Sequence, residues 1–307
     1  MKSQVYEVAE AVAQARVKKV SMRFRHIVAR IVSTVTLLLL GGSLLAAQRI
    51  PQSQRVFNEL VLRPAGQPVI PIFDGWYENP DGTKSMCFGY KNLNLEEALE
   101  IPLGPDNFIE PSEFDGFQPT HFAPAPESFD PESEKARYRR QYCVFTVQVP
   151  ADFSEQQVVW TLRIRGETIS NPGNLLPAYV IDEPQASGRG ASAPLVKVGE
   201  DEREARGRER VIVGPFRARV REPLPLTLSV GDPGARAWVG WFKHQGPGEV
   251  TFAKSELSVE GPDGTVTTTV WFSQPGEYLL LAQTIDTVAS FEFICCWTNV
   301  YVRVLVE

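Results

Sequence analysis

Phe272-Ser273-Gln274-Pro275-Gly276-Glu277-Tyr278-Leu279-Leu280-Leu281-Ala282 is the stretch on which the fold turns. Gln274-Pro275-Gly276 has turn chemistry, because proline presets one backbone angle and glycine frees the next. Apolar alternation on both sides makes the stretch read as strand, turn, strand, with Val266–Phe272 before the turn and Tyr278–Thr284 after it. Working outward, Leu224–Val230, Ala237–Phe242, Val250–Phe252 and Thr298–Val306 read as further strands, with a turn at Gly261-Pro262-Asp263-Gly264. In the last strand Val300, Val302, Val304 and Val306 share one face, against Tyr301, Arg303 and Leu305 on the other. Short strands at this spacing predict a two-sheet sandwich over residues 211–307.

Trp241, the Gly246-Pro247-Gly248 turn, Val250, Phe252 and the 272–282 stretch together resemble a PKD-type, immunoglobulin-like β-sandwich. The resemblance implies a core role for Trp241 and a tyrosine corner at Tyr278. It also implies a spacer, adhesive or binding module outside the cytoplasm, a class in which catalysts are rare.

A second β-rich domain is expected over residues 69–183. Its clearest strands are Tyr142–Val149, where Cys143, Phe145, Val147 and Val149 alternate with polar residues, and Val158–Ile164. Met86–Tyr90 is a third, joined to Phe73–Tyr77 by the turn Asn79-Pro80-Asp81-Gly82-Thr83. Leu95–Leu99 reads as either a short helix or a strand. Residues 104–136 hold six prolines, five phenylalanines and eight acids without periodicity, and read as a long loop. Gly75–Gly82, Cys87-Phe88-Gly89-Tyr90 and the Gly-Pro-x-Asn and Pro-Thr-His-Phe segments resemble a group of uncharacterised exported bacterial proteins, over most of residues 70–182. No activity comes with that resemblance. Residues 184–210, with Gly188–Pro194 and the mixed-charge run Glu200–Arg210, read as a flexible linker.

The N-terminus points to export. Arg23, Arg25 and Arg30 precede an uncharged stretch, Ile31–Ala47, that ends in small residues. This is the layout of a signal peptide starting at Met22 and cleaved after Ala47; a retained membrane anchor is the alternative. Residues 48–68 form an extended lead-in broken by Pro51, Pro64 and Pro68. Residues 1–47 hold seven of the 31 Lys/Arg and two of the 37 Asp/Glu, leaving 24 basic and 35 acidic side chains, a formal charge of −11. So acidic a body excludes nucleic acid as a partner and favours solubility.

Catalytic motifs are missing. The sequence has no Gly-x-Ser-x-Gly elbow, His-Glu-x-x-His, P-loop, dinucleotide fingerprint or EF-hand loop. After residue 47 the histidines are His121 and His244, one in each domain, a thin supply for zinc or a triad. Asp106, Glu110, Glu113 and Asp115 offer oxygen ligands for calcium, or a carboxylate pair for glycoside hydrolysis, but their spacing fixes no geometry. Trp76 and Tyr77 beside Asn79 and Asp81, then Tyr90 with Asn92 and Asn94, combine aromatic and amide groups as sugar sites do. His121 joins them as a loop histidine. The competing reading makes Trp76 core and the asparagines turn-formers.

Four cysteines remain. Cys87 and Cys143 lie on strands of one domain and form a candidate disulfide. Strand parity from Val300 puts Cys296 on the core face, and Cys295 outward with Phe293, Trp297 and Tyr301, on a surface covered by the first domain or by a partner. The expectation is an exported all-β chain of two tandem immunoglobulin-like sandwiches, a non-catalytic binding or structural module at the envelope or surface. Its partner is a protein or a glycan, and it meets a membrane only through an uncleaved N-terminal helix. No cofactor is expected, calcium excepted. The alternative is a carbohydrate-active or peptide-cleaving enzyme using carboxylates of the first domain; convergence of the 104–136 loop and the Trp76 region on one carboxylate-lined pocket is what would favour it.

Overall fold

The computed structural model describes residues 63–124, 140–181, 192–231, 236–261, 263–286 and 296–307. The signal, its cleavage site, Cys295 and residues 125–136 lie outside them. Among the described residues no helix is long and apolar enough to cross a membrane.

The chain from residue 62 onward is one compact unit built of two β-sandwiches. The first holds β1 (Val69–Glu78), β2 (Lys84–Asn92), β3 (Leu99–Glu100), β4 (Asn107–Glu110), β5 (His121–Phe122), β6 (Gln141–Val149), β7 (Val158–Ile164) and β8 (Glu167–Gly173). Its sheets run β1-β2-β6 and β4-β7-β8, with β3-β5 as a ribbon. Alternate residues of these strands point inward, and Met86, Phe88, Phe122, Phe145, Trp160 and Leu162 fill the space between. Cys87 and Cys143 are joined by a disulfide across β2 and β6, their Cα atoms 4.8 Å apart. Closing a 56-residue separation removes unfolded-state entropy equivalent to about 4 kcal/mol in the chain-entropy picture.

The second sandwich holds β9 (Leu195–Val198), β10 (Glu204–Ala205), β11 (Val211–Ala218), β12 (Leu224–Gly231), β13 (Arg236–Gln245), β14 (Val250–Phe252), β15 (Glu256–Glu260), β16 (Asp263–Phe272), β17 (Gly276–Asp286) and β18 (Trp297–Val306). Five-stranded sheets β10-β9-β12-β16-β14 and β11-β18-β17-β13-β15 face each other, and β11 runs parallel to β18. Trp241 is buried in this core with Val300, Val302 and Val304. Tyr278 donates its hydroxyl to the Gln274 carbonyl at 2.9 Å, the tyrosine-corner bond. Gly246, at φ +132°, lies against that ring; a Cβ there would stand 2.4 Å from it.

Two expectations give way. Residues 195–205 belong to the second sandwich and not to a linker. Val196 and Val198 are fully buried, and β9 pairs with β12 through Val198↔Leu228 and Val196↔Val230. Four residues of alternation beside Gly, Ser and charge are too short a period to read. The charged run is also committed. Arg203 pairs with Asp201 and donates to the Ile212 and Gly214 carbonyls, closing that stretch of β11's edge. The 104–136 loop, as far as it is described, is likewise not irregular. It contains β4, a 3-10 turn at Ser112–Phe114 and β5.

The sandwiches are fused. Leu280, Ala282 and Val302 face the second core, while their neighbours Leu279, Leu281 and Tyr301 are buried against the first. The Tyr301 hydroxyl donates to the Val144 carbonyl at 2.7 Å, and Asn299 donates to the Cys143 carbonyl at 2.7 Å. Trp297 packs on the Cys87–Cys143 side with Tyr77 and Ile181. Parity from Val300 thus places Tyr301 and Trp297 correctly on a face covered by the first domain. Cys296 is buried, as that parity predicts, but sits at φ +70° with its sulfur in a disulfide.

Candidate functional site

Most of the residues that suggested a sugar platform are spent inside the fold. Tyr77 is buried. Trp76 is half-buried and donates its indole N–H to the Leu176 carbonyl at 3.0 Å. Tyr90 is buried edge-on against Phe122, ring centres 5.0 Å apart, and burial pushes its hydroxyl above the usual phenol range. Asn92 donates to the Glu97 and Phe122 carbonyls and accepts from the Asn94 amide. Asn94 in turn donates to Gln67. These asparagines pin loops, as the competing reading had it. His121 meets Glu100 Oε1 at 2.7 Å, where Lys243 of the second sandwich also binds at 2.8 Å.

That meeting belongs to a clasp. Residues 99–122 lie along β13: Gln245 donates to the Gly116 and Gln118 carbonyls, Thr120 N–H bonds to the His244 carbonyl, and His244 Nε2 donates to the Phe117 carbonyl at 2.7 Å. His244 is buried between Phe117 and Tyr301. Burial disfavours its charged form and lowers its pKa to about 4, with Arg210 adding repulsion against the Phe117 hydrogen bond. Nothing in the sequence marks this pairing, since it joins residues more than 120 apart.

Asn79 and Asp81 do reach a site. They sit on the β1–β2 hairpin, where Asn79 bonds Thr83 and Ser85, and Asp81 accepts from the Thr83 amide and hydroxyl. That hairpin forms one wall of a groove of about 770 Å³. Glu113, Phe114 and Asp115 of the clasp form another, Thr146-Val147-Gln148 of β6 a third, and Glu209-Arg210-Val211 the fourth. The 104–136 segment and the hairpin after Trp76 therefore converge on one carboxylate-lined groove. Trp76 itself is not part of the lining.

Two of the groove's carboxylates accept hydrogen bonds from the fold. Asp81 is held below the usual carboxylate range by its two bonds from Thr83. Asp115 Oδ1 accepts the Ile109 amide and the Gln118 side chain. Arg210 is also engaged, donating to the Thr146 carbonyl at 2.8 Å with its guanidinium 3.7 Å from the centre of the Phe117 ring. Among the described residues no three of His, Cys, Asp or Glu converge as a metal cage, so the calcium set Asp106, Glu110, Glu113 and Asp115 is not assembled.

Beside Cys143 lies a buried charge cluster that composition does not reveal. Asp74, at the β1 bulge, pairs with Arg140 and accepts the Cys143 amide at 2.6 Å. Burial raises its pKa to about 6 against the pull of Arg140 and Arg208. Arg208 lies 4.0 Å over the Trp297 ring, and burial lowers its pKa to about 10. Gly89 is required here, because a Cβ would stand 2.2 Å from the Gln141 carbonyl and 2.6 Å from the Asp74 carboxylate.

No family model matches this chain, and no curated protein does. Among solved structures it is similar to WR4, an MSP family member of C. elegans, at 8% identity over 30% of this chain and 92% of that one, TM-score 0.24. PapD-like domain 7 of human CEP192 matches at 7% identity over 44% and 93%, TM-score 0.26. The D00–D0 domain of intimin matches at 10% identity over 78% and 100%, TM-score 0.25. These likenesses concern fold alone.

Proposed function

We propose that this protein is an exported, non-catalytic binding or structural module of the cell envelope or surface, its signal cleaved after Ala47. The observation that carries the reading is the fusion of two immunoglobulin-like sandwiches into one body. Leu279, Leu281 and Tyr301 of the second are sealed into the core of the first, and the 99–122 clasp is bonded along β13. Such a body holds a binding surface at fixed geometry and suits an assembly component better than a flexible tether. The Cys87–Cys143 bridge supports an oxidising compartment, periplasmic or extracellular. The PKD-type likeness of residues 211–307 agrees with a spacer or adhesive role, and the partner is a protein or a glycan. The enzyme alternative draws on the groove's carboxylates, but Asp81 and Asp115 are occupied as structural acceptors. Fractionation of native cells, with N-terminal sequencing of the protein, tests the reading. Recovery in the envelope or medium with Gln48 first is expected; a cytoplasmic protein with its N-terminus intact would overturn it.

A further inference from the structure

One wall of the groove is the edge of a sheet. Strand β6 is the outer strand of β1-β2-β6, and β11 the outer strand of the five-stranded sheet opposite. Successive residues of an antiparallel strand direct their backbone groups to opposite sides, so Val144, Thr146 and Gln148 share β6's outer side. The second domain takes the first two carbonyls with side chains: Tyr301 reaches Val144, and Arg210 reaches Thr146. Beyond them the edge at Gln148 enters the groove, and no strand among the described residues pairs with it. The wall at 209–211 offers no second edge, because the Val211 amide bonds the Glu209 carbonyl and Arg203 closes the Ile212 and Gly214 carbonyls of β11.

From this edge we infer that the groove is a docking site for an extended, basic segment of a protein partner, added as a short strand along β6 between Thr146 and Val149. Strand addition meets the backbone needs of an open edge, and side chains alternating off the added strand give selectivity. Charge decides which side chains. Asp81, Glu113, Asp115 and Glu209 face the groove, and Arg210, the one cation among the described residues that line it, is tied to Thr146 and Phe117. Lysine or arginine at alternate positions complements that field. A glycan fits less well, because sugar sites need an open aromatic face: Tyr77 is buried, Trp76 lies outside the lining, and Phe114 is the aromatic left among the groove walls.

The inference rests on the module reading, and its test separates the two. The probe is a capped, fluorescein-labelled decapeptide alternating Lys with Thr and Val, titrated by anisotropy onto the protein covering residues 48–307. The same peptide with Glu for Lys, and a glycan array, run beside it. Binding of the Lys peptide that weakens with added salt is expected, as is slowed hydrogen exchange at the Thr146 and Gln148 amides. Glu113 and Glu209 are both exposed, so Glu113→Lys with Glu209→Lys should leave the melting temperature unchanged and weaken binding about tenfold or more. If that variant is destabilised, Glu113→Gln with Glu209→Gln replaces it and is expected to weaken binding in the same direction. Absent binding at millimolar peptide, equal binding by the charge-reversed protein, protection away from β6, or glycan binding in the groove would each overturn the inference while leaving the module reading in place. Recovery of cleaved peptide would keep the groove as the peptide's seat and overturn the non-catalytic reading instead.

Discussion

At Asp74, burial between Arg140 and Arg208 holds the carboxyl's pKa at about 6, while at His244 burial beside Phe117, Tyr301 and Arg210 brings the imidazole down to about 4. Asp74 binds its proton more tightly when folded than its ordinary value of 3.8 allows, so its contribution to stability falls as pH rises from about 4 to about 6. His244 binds its proton less tightly than its ordinary 6.5, so its contribution is full above that value and is lost as pH falls toward 4. The two slopes oppose each other over the same window and flatten the wild-type profile. Denaturant unfolding between pH 4 and 7 checks this. Asp74→Asn should expose the histidine's slope, with stability rising with pH. His244→Gln, which can still donate to the Phe117 carbonyl, should expose the opposite slope. If neither variant changes the slope, both groups carry ordinary pKa values. Neither burial was legible in the sequence, because each depends on partners distant along the chain.

The 99–122 segment shows how an element can be visible as a motif and yet misread as a structure. Its Gly-Pro-x-Asn signature ends in Asn107, which is fully buried. Asn107 donates to the Ile101 and Pro119 carbonyls and accepts the Trp160 indole N–H at 3.0 Å. One amide thereby ties two turns of the segment to the core tryptophan. Asn107→Ala leaves two carbonyls and an indole N–H without their buried partner, and should cost more than about 3 kcal/mol, since each such group costs about 1–3 kcal/mol. Asn107→Asp is expected to be no milder, because it keeps the indole acceptor but loses both donors. Urea unfolding measures both; a loss under about 1 kcal/mol for Asn107→Ala would mean that water replaces the amide's bonds. The strands of 158–164 and 250–252 were legible to the residue, because their alternation is long enough or bounded by clear turns. β4, β5 and β9 were not. They are two to four residues long, and tertiary pairing, not pattern, makes them strands.

Over the whole molecule, two sandwiches were legible as alternating strands, but the join between them was not. Tyr301 was readable as an outward residue on a covered face from the valine alternation of β18, but what covers it is set by packing that no local pattern encodes. The consequence is thermodynamic. Leu279, Leu281 and Tyr301 are buried in the first sandwich, Ile212 and Phe242 pack against it, and Asn299 and Tyr301 satisfy carbonyls of β6. Unfolding the first sandwich alone would bare that apolar face and unpair those bonds, so neither sandwich has a path to melt while the other stays native. Calorimetry of the protein covering residues 48–307 should therefore show one transition with equal calorimetric and van't Hoff enthalpies. Tyr301→Phe, which removes only the hydroxyl on the Val144 carbonyl, should lower that single midpoint without splitting it. Residues 192–307 made alone should self-associate or melt without a cooperative transition, because the exposed face is a contiguous aliphatic and aromatic patch. Two resolved transitions in the intact protein, with the second matching the isolated fragment, would show that the join is a docking of independent domains and would remove the rigid body on which the proposed function rests.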